Sequence, residues 1–261
     1  MKVFIENSPL TRQRLLSVLA LVGFFVLWEL ICLVAGISDL ILPRPSQIAV
    51  VLWQKMPLLW PHTVQTLKTT LIGFVLGVLL GIIIGVMIGS SKLAYDVAYP
   101  LLVGFSSIPK VAVVPIFVVW FGAGTVPAIL TSMVISIFPV VVNVATGLAS
   151  TEPELEDVLR VLGARRWDVL IKVGLPRSMP YFYGSLKVAI TLAFVGTTVS
   201  EMTAANEGIG YLLISAGSAM QMGLAFAGLV VVGAMAMIMY ELFSYVEKHT
   251  TAWAHRGSHN G

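Results

Sequence analysis

Apolar runs of about 20 residues recur along this chain, and they restrict its possible folds more than any other feature. A run of that length lets one helix cross a hydrocarbon core of about 30 Å. Hydrophobic residues fill 57% of the 261 positions and charged residues only 11%, whereas soluble domains carry roughly 25% charged residues. The sequence therefore predicts an all-α integral membrane protein with a single domain, residues 1–261, and excludes a soluble globular protein.

Six membrane spans are predicted from the apolar runs. The third run is interrupted by Pro109 and Pro115, and residues 37–62, which hold prolines and interfacial tryptophans, are expected to form an outer loop. Residues 206–222 are apolar but too short and too rich in glycine to cross, so we expect a partly buried or re-entrant element. The predicted spans are about Leu15–Gly36, Thr63–Gly89, Ala94–Phe121, Val126–Leu148, Tyr183–Ala204 and Leu224–Tyr245.

A strip of glycines marks one face of the second span, because Gly73, Gly77, Gly81 and Gly85 occupy every fourth position. Without side chains on that face, another membrane helix can approach the backbone closely. The pattern favours packing inside the subunit, with a seam between two copies as the alternative.

The distribution of basic residues predicts the orientation of the chain. Six spans place both termini on one side, and Lys and Arg residues concentrate in the loops and tails of that side, with only Arg44 and Lys55 in the opposite loops. Basic loops stay in the cytoplasm. Both termini and the polar stretch at residues 150–180 are therefore expected to be cytoplasmic. The net charge of +3 is explained by this topology and does not indicate binding to nucleic acid.

The sequence holds no recognisable catalytic or energy-coupling motif. It lacks a GxxxxGK[ST] phosphate loop, an HExxH motif and any Cys/His cluster with the spacing of metal ligands. The histidines near the C-terminus fit a solvated tail better than a metal site, and the single cysteine, Cys32, excludes an intrachain disulfide. We therefore expect no enzymatic activity and no cofactor or metal bound by this chain.

The most polar part of the chain, residues 150–180, is predicted to form a helical hairpin. Thr151 and Glu154 have the spacing of a capping box, and acidic residues crowd the first turns, as the helix dipole favours. An apolar stripe at positions i, i+3, i+4 and i+7 must be buried against something. This stripe consists of Leu155, Val158, Leu159 and Leu162.

The hairpin is predicted to turn at Gly163, which can end the first helix. A second short helix, from Ala164 to about Val173, is expected to end before Pro176 and Pro180.

The hairpin resembles the EAA loop of binding-protein-dependent ABC importer permeases. The resemblance lies in Glu156–Asp157–Val158, in Gly163 five residues later, and in Leu175–Pro176 and Pro180. It departs from the usual signature in that Asp157 and Val158 replace two small alanines. The segments LPRPSQI, SIPKVAVVPIFVVWFG and SEMTAANEGIGYLL resemble the nitrate, sulfonate and taurine branch of that superfamily, so the likeness covers nearly the whole chain.

This resemblance implies a permease that works as a homodimer in the bacterial inner membrane by alternating access. Its partners would be two cytoplasmic ABC ATPase subunits, which bind the ATP and Mg, and a periplasmic or lipid-anchored solute-binding protein. The first hairpin helix would dock on the ATPase; a helix lying on the bilayer surface is the alternative. The residues assigned to this coupling are Glu156, Asp157, Val158, Leu159, Leu162, Gly163, Arg165 and Pro176.

Charged and hydroxyl side chains inside the apolar runs predict a path for the solute. Lys110 lies near the middle of the third run, where a charge costs about 2.5–3.5 kcal/mol on insertion scales. It could face an anion on its path or pair with Glu201 or Glu29 for packing, and the sequence leaves both alternatives open. The residues assigned to the path are Ser106, Ser107, Lys110, Thr197, Thr198 and Glu201.

The predicted function is therefore ATP-driven import of a small solute. An anion of the nitrate, sulfonate, taurine or aromatic-carboxylate type is expected, and a vitamin precursor is the alternative. A carrier or channel that needs no ATPase is the alternative from a different class, and paired broken helices in inverted repeats would support it. No convincing repeat relates the two halves of the chain.

Overall fold

The computed structural model describes residues 9–150, 161, 163 and 166–251, and these residues form helices and short connections. A single-turn 3₁₀ helix, Lys110–Val113, precedes α5, while a helical turn at Arg166–Val169 and a π-helical turn at Leu170–Gly174 precede α7. The helices are α1 (Pro9–Val34), α2 (Pro45–Gln54), α3 (Met56–Gly89), α4 (Lys92–Ser106), α5 (Val114–Phe121), α6 (Thr125–Ala149), α7 (Leu175–Ala204), α8 (Ile209–Ser218) and α9 (Met222–Thr250).

Five helical segments in the described part of the chain are long and apolar enough to cross a membrane: α1, α3, α6, α7 and α9. The helices α4 and α5 pass the same test together, but the chain bends by 75° between them. Counting this pair as one broken span gives six, as predicted. The break falls at Pro109, which has no backbone N–H to donate. Pro115 lies in the first turn of α5, where a missing N–H breaks no intrahelical hydrogen bond.

The segment between the first two spans is more helical than its prolines suggested. Residues 45–54 form α2, and α3 begins at Met56 instead of near Thr63. Pro45 and Pro57 occupy the first turns of these helices, where a missing backbone N–H does no harm. Pro61 lies inside α3, a position that membrane helices tolerate better than soluble ones do. The expectation of a proline-broken loop up to residue 62 was therefore wrong.

The prediction that the hairpin's second helix ends before Pro176 was also wrong. The helical backbone runs from Arg166 through the π-helical turn into α7 without interruption. Pro176 lies in the first turn of α7 and Pro180 inside it. The π-helical turn Leu170–Gly174 ends two residues before Pro176, and local π geometry of this kind lets a membrane helix accommodate the missing proline donor. The fifth span is consequently longer than predicted, and it begins next to residues 150–165.

The centre of the fold is formed by α6 together with α3 and α7, the two helices that it contacts most extensively. The glycine strip of α3 faces α6, so that a Cβ on Gly73 would lie 2.6 Å from the Ser132 Cβ and one on Gly81 would lie 2.7 Å from the Val140 Cβ. The same crowding occurs at Gly77 and Gly85. Packing inside the subunit is therefore confirmed for this strip, and the alternative of a seam between copies is not needed.

The remaining helices surround this centre. The short helix α8 buries Leu212, Leu213 and Ala216 against α7 and α9, in agreement with a partly buried element too short to cross. Most side chains of α1 are exposed from Leu15 onward. Contacts that hold α1 to the rest of the chain include Trp28, whose ring lies 6.0 Å from that of Phe226, Glu29 and the buried Cys32.

Candidate functional site

The predicted coupling loop connects the two most deeply buried spans of the described chain. It leaves the C-terminus of α6 at Ala149 and returns at the helical turn that leads into α7. Half of the most apolar 18-residue window in each of these two spans is buried, compared with 6% for α1. A force applied to residues 150–165 would therefore act directly on the centre of the bundle.

Most of the predicted coupling residues lie outside the described residues, namely Glu156, Asp157, Val158, Leu159, Leu162 and Arg165. Gly163 is described and has a φ of +87°, a conformation that glycine adopts without strain. Val161, two residues earlier, is helical, in agreement with the predicted helix end. Pro176 is exposed in the first turn of α7. The role of all these residues in coupling stays a prediction.

Lys110 follows directly after the break between α4 and α5, as the sequence suggested. Its Nζ donates a hydrogen bond to the Ser106 carbonyl oxygen over 2.8 Å. It also lies 4.5 Å from the centre of the Phe138 ring on α6, a cation–π geometry. An ammonium group carries three donors, and one of them is used by Ser106. The group is thus held in place and can still bind an anion.

Lys110 opens onto a cleft of about 460 Å³ between the α4–α5 break, α6 and α7. The other polar side chains at the cleft are Ser106 and Asn143, and the Asn143 Nδ2 donates to the Pro139 carbonyl oxygen over 2.8 Å. The walls are otherwise apolar, and they consist of Val111, Ile135, Phe138, Pro139, Val142, Val188, Leu192 and Val195. A single cation at an apolar cleft of this size suits one small anionic or aromatic solute.

The carboxylates considered as partners of Lys110 are bound elsewhere. Glu29 accepts hydrogen bonds from the Ser46 hydroxyl over 2.6 Å and from its backbone amide over 3.0 Å. Glu201 accepts from the Thr66 hydroxyl over 2.8 Å and from the Gly210 amide over 3.0 Å. Within the described part of the chain, no salt bridge joins Lys110 to either carboxylate. The predicted packing pair is therefore absent from this structure.

The structure divides the six residues assigned to the solute path. Ser106 and Lys110 line the cleft, and Ser107 is exposed beside it with its hydroxyl donating to the Val103 carbonyl oxygen. Thr197, Thr198 and Glu201 instead lie buried in the interior, with 0%, 8% and 2% of their surface exposed. The hydroxyls and carboxylate of α7 therefore do not share a cleft with Lys110 in this conformation, contrary to the expectation of one path.

Sequence reasoning missed Phe138 and Asn143 at the cleft. An aromatic residue in an apolar run gives no signal by itself, whereas Asn143 is the only amide side chain within α6 and could have been noticed. It also missed the partner of Lys187, whose Nζ lies 2.6 Å from the Glu247 Oε2. Lysine and carboxylate are 60 positions apart on α7 and α9, so no local pattern connects them.

Comparisons with known proteins agree with this architecture. Residues 77–251 match the family described as binding-protein-dependent transport system inner membrane component. A probable ABC transporter permease protein of Haemophilus influenzae is 33% identical over 87% of this chain and 93% of its own length. The riboflavin transport system permease protein RibX of Chloroflexus aurantiacus is 34% identical over 87% and 86%, respectively.

A solved structure has the same fold. The MetNI methionine ABC transporter in an inward-facing conformation contains a chain that aligns with a TM-score of 0.67 and 18% identity, over 76% of this chain and 98% of that one. The family match covers most of the sequence, and the relatives align over nearly their full length. This multi-span membrane chain therefore belongs to the family of binding-protein-dependent transport system inner membrane components, the permease subunits of ABC importers.

Proposed function

We propose that this permease forms a homodimer that imports a small solute with two cytoplasmic ATPase subunits and a solute-binding protein. ATP and Mg are bound by the ATPases, and the termini and residues 150–165 face the cytoplasm. Family membership makes the chain an importer permease, and the positive charge of one set of loops supports the orientation.

One observation carries the coupling part of the proposal: residues 150–165 join the two most buried spans. Because packed helices shift as rigid elements, a displacement of this loop moves α6 and α7 together. These two helices also provide most of the walls of the cleft that holds Lys110. The loop is thus placed to convert docking of an ATPase into a change at the solute site.

The solute is proposed to be a small anion. Lys110 supplies one positive charge at a mostly apolar cleft, and no carboxylate of the described chain forms a salt bridge with it. A cation that no carboxylate of the described chain neutralises can bind an anion and release it again, as a transport site requires. Relatives named for taurine and nitrate transport are 27% and 25% identical to this chain and agree with an anionic solute.

A vitamin precursor is the second candidate, and the Phe138 ring beside Lys110 favours it. An aromatic side chain can stack on a flat heterocycle. Relatives named for transport of riboflavin and formylaminopyrimidine are 34% and 30% identical, more than those named for taurine or nitrate. A flat heterocycle that carries a negative charge would stack on the Phe138 ring and bind the Lys110 ammonium group.

Reconstitution in proteoliposomes tests the coupling. The chain is purified with its ATPase, and ATP-dependent uptake of taurine, nitrate and riboflavin is measured in the presence of the binding protein. Leu159→Asp places a charge on the predicted docking stripe and should abolish co-purification of the ATPase. Val161→Asp is the matched control, because Val161 lies off the stripe and is 88% exposed. Normal assembly and import by Leu159→Asp would show that the docking face is wrongly assigned.

The same preparation separates the importer from a carrier that works alone. Proteoliposomes that contain only this chain should show no uptake, and uptake should require both the ATPase and ATP. Uptake by the chain without an ATPase would replace the proposed function by that of a self-sufficient carrier.

A further inference from the structure

A buried carboxylate, Glu201, lies where α3, α7 and α8 meet, and the transport proposal gives it no role. Its Oε2 accepts a hydrogen bond from the Thr66 hydroxyl over 2.8 Å and from the Gly210 amide over 3.0 Å. The Thr66 Oγ1 in turn accepts from the Ile209 amide over 2.8 Å. One carboxylate oxygen and one hydroxyl therefore hold two successive amides at the start of α8. We call Glu201, Thr66 and the backbone of residues 208–210 the clasp.

The clasp replaces an ordinary helix cap. The first amides of a helix have no partner within the helix, and a side chain at the N-cap usually accepts from one of them. The N-cap of α8 is Gly208, which has no side chain to do so. The acceptors come from α7 and α3 instead, and the Gly208 amide itself donates to the His62 Nδ1 on α3 over 3.1 Å. The position of α8 is thus set by other helices.

Two glycines make this contact possible. Gly208 has a φ of +102°, and a Cβ there would collide with the Glu201 carboxylate. A Cβ on Gly210 would collide with the Thr198 carbonyl oxygen. The start of α8 therefore lies directly against α7, with no room for a side chain between them.

The clasp lies at the far end of α7 from residues 150–165. From Leu175 to Glu201, α7 is continuous and rises about 39 Å at 1.5 Å per residue. One helix therefore links the predicted coupling loop to the start of α8. The second carboxylate oxygen, Oε1, is buried and has no hydrogen-bond partner within the described chain. It can accept another donor when the helices shift.

We propose that the clasp makes Glu201 a positioning residue for transport. It ties α8 to the end of α7 opposite the coupling loop, so that a movement of α7 started at the loop carries α8 with it. The clasp thereby transmits the movement from one face of the membrane to the other. This proposal rests on the proposed function, because it requires the loop to be driven by an ATPase.

The test combines a local and a functional measurement on the reconstituted complex. Thr66→Val removes the hydroxyl with little change in shape, Glu201→Gln removes the charge, and Thr66→Ser is the control that keeps the hydroxyl. A cysteine introduced at Ala216, which is 3% exposed on α8, reports detachment of α8 through its rate of labelling by a thiol reagent. Import and ATP hydrolysis are measured in parallel.

In Thr66→Val, which removes both hydrogen bonds of that hydroxyl, we expect labelling to be at least about tenfold faster, roughly the effect of one hydrogen bond to a charged group. Glu201→Gln keeps one acceptor oxygen and should give a smaller increase. Import per ATP hydrolysed should fall by about the same factor, basal ATP hydrolysis should be unchanged, and Thr66→Ser should behave like the wild type.

Unchanged labelling in both variants would refute the clasp. If import, ATP hydrolysis and melting temperature all fall together, the clasp only stabilises the fold and does not transmit movement. Absence of ATP-dependent import by the wild type would refute the proposed function instead, while labelling would still decide whether the clasp holds α8.

Discussion

The close approach of α3 and α6 can be tested with one methyl group at Gly73. A Cβ there would lie 2.5 Å from the Ile129 carbonyl oxygen and 2.6 Å from the Ser132 Cβ, whereas nonbonded heavy atoms prefer about 3.5–4.0 Å. Both neighbours belong to the backbone or are attached directly to it, so α3 and α6 must separate by about 1 Å. This movement also strains the hydrogen bond from the Ser132 hydroxyl to the Thr70 carbonyl oxygen, now 3.2 Å long.

The expected magnitude for Gly73→Ala follows from two opposing effects. Overpacking lowers the free energy of unfolding by about 1–3 kcal/mol, and replacing glycine by alanine within a helix raises it by about 0.5–1 kcal/mol. With the middle of each range, the net loss of unfolding free energy is about 1.3 kcal/mol, which corresponds to a fall of about 3–5 °C in melting temperature for a chain of roughly this size. Thermal unfolding of the detergent-solubilised protein measures it.

Gly233→Ala is the matched control for this change. Gly233 lies inside α9 with no atom within 4 Å of an added Cβ, so only the helix gain applies and stability should stay equal or rise. Equal melting temperatures for Gly73→Ala and Gly233→Ala would refute the argument that the glycine strip is required for the approach of α6.

Three further predictions concern orientation and charge. In a cysteine-free background, a cysteine at Ser38 should be labelled by an impermeant thiol reagent in intact cells and one at Ser150 should not; the reverse pattern would overturn the topology. Lys110→Ala should leave the complex assembled and active in ATP hydrolysis but lower the import of an anionic solute at least tenfold, with partial function retained in Lys110→Arg; normal import by the alanine variant would remove this lysine from the path. The pair Lys187–Glu247, with side chains 19% and 16% exposed, should show a coupling free energy of about 1–3 kcal/mol in a double-mutant cycle of unfolding, and additive single variants would contradict its importance.

Much of the fold was available from local sequence information. The lengths of the apolar runs predicted the spans, and the spacing of glycines on α3 predicted a close helix contact. Pro109 predicted the break before Lys110, and the positive φ of Gly163 agrees with the predicted helix end. These features depend on residues that are neighbours in the chain, because hydrophobic periodicity, the missing proline donor and glycine's freedom all act within a few residues.

Local information misjudged some helix boundaries. Prolines at 57 and 176 read as helix breakers in the sequence, yet Pro57 lies in a first turn, where the missing donor has no effect, and Pro176 follows a π-helical turn that keeps the helix continuous. Whether a proline ends one helix or begins another depends on how the flanking segments pack, and the composition of the segment does not contain that information.

Only the tertiary structure decided which side chains meet. The sequence offered Glu201 and Glu29 as partners for Lys110, but Glu201 binds Thr66 on α3 and the start of α8, and Glu29 binds Ser46. Each contact joins residues on separate helices, and hydrophobic patterning of a single helix shows how wide its buried face is without showing what covers it. The spans and the break before Lys110 were therefore determined by the sequence alone. The Lys110 cleft exists only because α6 and α7 pack against that break, and the Glu201 clasp exists only because long-range packing brings distant polar groups together in an apolar interior that leaves them few other partners.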